Sequence, residues 1–377
     1  MGPSVGPIVI SALVSACGSS TPVVTPDAAV VPVVDAAPDV AFDVEPDVAV
    51  LPDGADGPWP WAGKEEAGRG ADRAMPAAYP RPSYVHLSET GLYSDPASGA
   101  FAGNLVTFTP NHVLWSDGAE KRRWISLPPD TQIDTQDMDH WVFPIGTRFW
   151  KEFSLGGVKL ETRLIERYGT ERDDFWMGAF VWNAAQTDAV FVENGQADLL
   201  GTAHDAPTQK QCWSCHQGEP GRGLGFSALQ LAGAGPGIRL EALERADLLT
   251  VHPPRTDYHP PGEPGVAAAL GYLHANCGHC HNRNGTSWPD TQMDLRLNVD
   301  DFSAPMTAAY RTTIGQPVFS YKNPMFMVRV APHDPANSAL MFRVKSRGSR
   351  DQMPSLATEM IDPTGIEVIQ RWIESLP

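Results

Sequence analysis

The sequence contains no run of the ~18 or more apolar residues that a membrane-crossing helix needs, although 42% of its 377 residues are hydrophobic. That content is enough for more than one globular core. Lys and Arg are missing altogether from residues 1–63, where eight Asp and Glu residues occur. Those eight account for nearly half of the net charge of −17 and leave −9 for the rest of the chain. Without a cationic excess the chain lacks the means to displace counterions from a phosphate backbone, which argues against nucleic acid as a partner. Catalytic signatures are missing too: there is no P-loop, no dinucleotide-binding glycine fingerprint and no recognisable serine triad. Cysteine is scarce, with five residues, but its placement is patterned. Cys17 stands alone, and the other four form Cys212-Trp-Ser-Cys215-His216 and Cys277-Gly-His-Cys280-His281.

The chain starts with a short apolar run, residues 7–17 (PIVISALVSAC), that closes on small residues and a cysteine, the shape of the end of an export signal. Val14-Ser15-Ala16-Cys17 resembles the lipobox of bacterial lipoproteins, although no Lys or Arg precedes the apolar run. The resemblance implies a signal peptide over residues 1–17, a lipid anchor on Cys17, and placement on the periplasmic side of a bacterial membrane. In residues 18–60, most of a linker expected over 18–74, Pro recurs every few positions and Asp interrupts each short Val/Ala run, so neither a helix nor a ladder propagates. A disordered, semi-extended tether is expected there.

From residue 75 to 210 the pattern turns to short runs rich in aromatic and β-branched residues, bounded by Gly, Pro and Asp. In one of them Val158, Leu160, Thr162 and Leu164 alternate with Lys159, Glu161 and Arg163, the period of a half-buried strand. A β-rich sandwich or barrel-like domain is expected. Trp115, Trp124, Trp141, Trp150, Trp176 and Trp182 fall here, and packing into a core explains them better than a ligand groove. The charged run from Trp115 through Asp117, Glu120 and Lys121 to Arg123 reads as a solvated hairpin loop. Asp134, Asp137, Asp139 and His140 lack a recognised metal-ligand spacing.

Cys-x-x-Cys-His is the attachment motif of c-type haem, in which both thiols add across the vinyl groups and the adjacent His lies under the iron. With only 11 His in the chain, two Cys-x-x-Cys pairs each followed by His are not an accident of composition. Cys212, Cys215, Cys277 and Cys280 are therefore expected to carry two haems, with His216 and His281 as axial ligands. The 61 residues between Cys215 and Cys277 are far more than a zinc ribbon uses. A redox disulfide in each pair would call for a thioredoxin-like βαβ pattern, which the chain does not have.

Val266, Leu270, Leu273 and Cys277 fall on one helical face, so a helix ending at the second motif delivers its first thiol from its apolar side. Further on, Asp362 as N-cap, Pro363 at the first helical position and the stripe Ile366, Ile369, Ile373, Leu376 predict a closing helix. Residues 264–377 resemble a class I bacterial cytochrome c domain in AALGYLHANCGHCH, in VRVAPHDPANSALMFRV, in Gln352-Met353-Pro354 and in IEVIQRWIESL with its Trp372. The resemblance implies an α-helical haem domain and, through its methionine-proline turn, Met353 as the sixth iron ligand. Met325, Met327 and Met360 are its competitors.

The first motif opens a thinner segment, residues 211–263, with one helix expected in IRLEALERADLL and a Pro-rich stretch, HPPRTDYHPPGEPG, that reads as a hinge. No Met occurs between His216 and Met293, so the distal ligand there must come from elsewhere. His204, His252, His259, Met138 and Met177 are the candidates. The expected whole is a multi-domain β-plus-α protein: a tether, a β-rich domain, a small haem segment and a cytochrome domain. Its expected work is electron transfer through two covalent haems, with a periplasmic or membrane redox partner. An open first haem would instead make it a peroxidase-like dihaem enzyme. In a third reading the β-rich domain binds a partner and the haems are accessory.

Overall fold

The aromatic-rich runs form strands, and the first of them are short. In the computed structural model, which describes residues 80–377, β1 (Tyr93–Asp95) and β2 (Ala100–Phe101) pair as a small hairpin. A six-stranded antiparallel sheet follows in strict chain order: β3 (Val106–Thr107), β4 (Glu120–Ser126), β5 (Arg148–Leu155), β6 (Val158–Arg167), β7 (Phe175–Trp182) and β8 (Ala189–Phe191). The β5–β6 connection is Gly156-Gly157, both at positive φ, as a tight two-residue hairpin turn demands. The signal-like run, Cys17 and the 18–74 tether lie outside the described residues. So do residues 75–79, the first five of the expected β-rich domain.

One face of the sheet is aromatic. Trp124 stands across from Trp150, and Trp150 across from Leu164. With Trp176, Phe180 and Trp182 they pack on Leu87, Leu92 and Tyr93 in a buried cluster. Five of the six tryptophans are thus core, Trp141 in a second cluster; Trp115 is partly exposed. Two carboxylates buried near this face are answered in full: Glu152 by Arg122 at 2.6 Å and the Tyr93 hydroxyl at 2.5 Å, Glu166 by Arg148 at 2.9 Å and the Tyr84 hydroxyl at 2.5 Å.

The other face overturns two expectations. Glu161, on the polar side of the β6 alternation, has no exposure at all, because the segment carrying the first Cys motif covers that face. The charged run 115–123 is not a solvated loop either. Asp117 is buried, accepting hydrogen bonds from the Glu359 and Met360 amides at 3.0 and 2.9 Å, and Arg123 points inward from β4. Alternation reports that two faces differ; it does not say which one meets water.

Among the described residues eight α-helices join the sheet: α1 (Gln209–His216), α2 (Ala228–Leu231), α3 (Leu240–Arg245), α4 (Pro264–Asn276), α5 (Trp288–Thr291), α6 (Ala308–Thr313), α7 (Ala339–Lys345) and α8 (Pro363–Ser375). The helix expected in IRLEALERADLL is cut to α3, just before Asp247 at φ 54°. The closing helix is as expected, with the Asp362 carboxylate accepting from the Gly365 amide at 2.9 Å, Pro363 first, and Ile369, Trp372, Ile373 and Leu376 buried. It crosses α4 so closely that a Cβ on Gly365 would sit 2.2 Å from the Tyr272 ring.

The Pro-rich stretch is seated rather than hinged. Tyr258 is buried in the main cluster, and Arg255 lies over its ring while donating to the Val299 carbonyl at 3.1 Å. That cluster is continuous from Ile125 and Phe149 on the sheet, through Phe226 and Leu229, to Leu270 and Leu273 on α4 and Trp372 on α8. All described residues belong to one compact unit. No helix among them is long and apolar enough to cross a membrane.

Candidate functional site

The two Cys motifs, 61 residues apart in sequence, meet in space. The first is built on α1, whose start is fixed by a reciprocal cap: the Thr208 hydroxyl accepts from the Gln211 amide at 3.1 Å and the Gln211 side chain accepts from the Thr208 amide at 2.8 Å. The Gln209 side chain donates to the Met177 carbonyl at 2.8 Å and ties the helix to β7. Cys212 then packs on Phe175 and Met177, and burial pushes its thiol up to about 11.

His216 ends the helix. Its Nδ1 lies 2.7 Å from the Arg222 carbonyl, so Nδ1 carries the hydrogen and Nε2 keeps a free lone pair, the tautomer a metal-ligating imidazole needs. Burial lowers its pKa to about 4.

The second motif follows α4. The Cys277 amide closes the helix on the Leu273 carbonyl at 2.9 Å, and burial raises its thiol to about 12. His281 is buried, with Nδ1 at 3.4 Å from the Thr291 hydroxyl; that hydroxyl is itself committed to the Ser287 carbonyl at 2.7 Å and so can accept. Burial lowers the His281 pKa to about 4. Both histidines are thus held neutral, the form that binds a metal.

Between the motifs, the Cys215 and Cys280 sulfurs lie within 4.8 Å of each other. That contact, with His279 beside it, favours ionisation of Cys215 and disfavours it for Cys280. The Cys215, His279 and Cys280 donor atoms lie within 4.8 Å of one another, the one such group of three found among the described residues. Asp134, Asp137, Asp139 and His140 form none: the Asp139 carboxylate accepts from the Val299 amide at 2.8 Å and His140 faces Glu219 at 3.4 Å.

A cavity of about 670 Å³ opens beside the second motif and is lined by Cys277, Cys280, His281 and Met353, with Arg329 and Arg343 in its wall. That volume falls within the ~300–1,000 Å³ of ligand sites. Met353 is held in place by its amide, which donates to the Arg343 carbonyl at 3.0 Å. Met325, Met327 and Met360 are exposed and line no part of the cavity. Met293 does line it, although no sequence motif marks it. The donor set of two thiols, a neutral imidazole and a thioether fits a covalent haem with both axial ligands.

The first motif differs. Cys212, Cys215 and His216 line a cavity of about 220 Å³ that adjoins the larger one at Cys215 and Leu356, which line both. Its thiols and imidazole match the chemistry of haem attachment, but the space is a third of that at the second motif. Of the distal candidates, His252 and His259 are exposed and His204 is committed to Glu161 at 2.8 Å. Met138 packs in the main cluster; Met177 lies against Cys212 itself. Comparison of the chain with protein-family models, with curated proteins and with solved structures gave no match.

Proposed function

We propose that the chain is an exported c-type cytochrome, lipid-anchored through Cys17, that carries two covalent haems on Cys212/Cys215 and Cys277/Cys280 and works in electron transfer with a periplasmic or membrane redox partner. The observation that carries this reading is the single cavity shared by Cys277, Cys280, His281 and Met353. When bound, the haems would supply reversible one-electron transfer at iron. The chain's own contribution is to hold and tune. The thiols of each motif fix the group, and His216 and His281 present neutral imidazoles. Met353, from the loop before α8, would close the second site and favour a high potential. Arg329 and Arg343 place positive charge along the same wall. No base and nucleophile are needed for such work.

The test is spectroscopic. Oxidised wild-type protein should show a near-infrared sulfur-to-iron band that Met353→Ala abolishes while haem content stays the same. Persistence of the band would move the ligand to Met293. A wild type without the band would contradict methionine ligation.

A second reading rests on the Cys215, His279 and Cys280 cluster, whose soft donors suit zinc. Stoichiometric zinc and no haem in protein made by a host that attaches c-type haem would replace the first reading with this one.

A further inference from the structure

The inner face of the sheet carries a row of like charge that haem attachment does not use. Arg123, Lys151 and Arg163 stand directly across from one another on β4, β5 and β6. Like charges at paired positions repel, and this row is largely enclosed, with Arg123 only 7% exposed. The protein answers it with one carboxylate. Glu161 is committed through Oε1 to Arg163 and to His204 at 2.8 Å; its charge also reaches Lys151, but neither Lys151 nor Arg123 forms an ion pair with it.

Arg123 makes no side-chain hydrogen bond or ion pair among the described residues, and Lys151 only faces the Phe153 ring at 5.0 Å. Lys121, also enclosed, is already satisfied by the Leu114 carbonyl at 2.6 Å and has Asp117 and Asp362 nearby. Against this face lies the first motif. Arg163 lines the 220 Å³ cavity together with Gln196, Gln211 and His216, and Lys151 is close enough for its charge to act on His216. Asp205 is the acid in the same wall, and its Oδ1 accepts from the Asp198 amide at 2.8 Å.

We infer that Arg123, Lys151 and Arg163 form the seat of a ligand bearing two or more negatively charged oxygens, bound between the sheet and His216. The chemistry fits two sources. One is a small free oxyanion, entering at the cavity of about 220 Å³ in whose wall Arg163 stands, with Lys151 and Arg123 next to it along the row. The other is the carboxylate arms of the group attached to Cys212 and Cys215, and only this source rests on the haem reading. Either way the β-sheet becomes part of the first motif's site and not a scaffold beside it.

The experiment uses the purified full chain with its haem content counted by mass. Thermal unfolding is measured in sodium sulfate and in sodium chloride of equal ionic strength, for wild type and for Lys151→Met. A free-oxyanion seat predicts that sulfate raises the wild-type midpoint above the chloride control and that Lys151→Met loses the difference. A seat for the carboxylate arms predicts no sulfate effect but a lower midpoint potential at one haem in Lys151→Met, because a nearby positive charge has gone. Arg123→Met serves as a second variant if Lys151→Met does not fold.

The absence of both a sulfate effect and a potential shift would overturn the seat, and two haems in that sample would leave the cytochrome reading standing. A sulfate effect that depends on Lys151 in a chain without haem would do the reverse.

Discussion

His274 shows what a single side chain can hide. It stands one turn before the second motif, given no role by the sequence, yet its Nδ1 accepts the Leu297 amide at 3.0 Å and so joins α4 to the segment after the motif. Burial, with the charge of Arg296 nearby, lowers its pKa to about 3. Unfolded histidine titrates near 6.5, so between about pH 6.5 and 3 the unfolded chain binds a proton that the folded chain does not. Stability should fall with decreasing pH across that window, by up to about 1.4 kcal/mol per unit from this group. His274→Gln, which keeps an acceptor, should flatten the slope in pH-dependent urea unfolding. An unchanged slope would assign the effect to other groups.

At the first motif the decisive residue is Met177. It is the candidate that packs against Cys212, whereas His252 and His259 are exposed and His204 is held by Glu161. A closed first iron predicts little spectral change when CO is added to reduced wild type and CO binding at one haem in Met177→Ala. Stoichiometric CO binding by the wild type would mean an open iron and would favour the enzyme over the carrier.

Among the elements, the α4–α8 pair was the most legible, because capping, proline placement and helical periodicity are local. Asp362, Pro363 and the stripe from Ile366 to Leu376 named α8 without any tertiary information. How closely it approaches α4 was not legible, since that depends on Gly365 meeting Tyr272. A valine there should cost about 3 kcal/mol or more through overpacking, measured as a lower urea midpoint. A cost below about 0.5 kcal/mol would mean that the helices can part freely.

The strands were legible from their composition, but the direction of their polar face was not. The row Arg123, Lys151, Arg163 exists only once the β4–β5–β6 register is known, and three separated cations in sequence give no sign of it. The same holds for Cys215 and Cys280: each motif announces itself, but their contact is made by the fold.

For the whole molecule, the continuous cluster from Phe149 to Trp372 joins the sheet to the closing helix, so the second motif's cavity and the first motif's cavity are walls of one body. The central claim is that this body carries two covalent haems. The measurement that tests it most directly is the intact mass of the purified chain under denaturing conditions, where a group held only by coordination is lost. Apart from the lipid on Cys17, the wild type should exceed its polypeptide mass by two haem units, and Cys277→Ser with Cys280→Ser should exceed it by one. A wild type at the bare polypeptide mass, with or without zinc in the native protein, would contradict the claim.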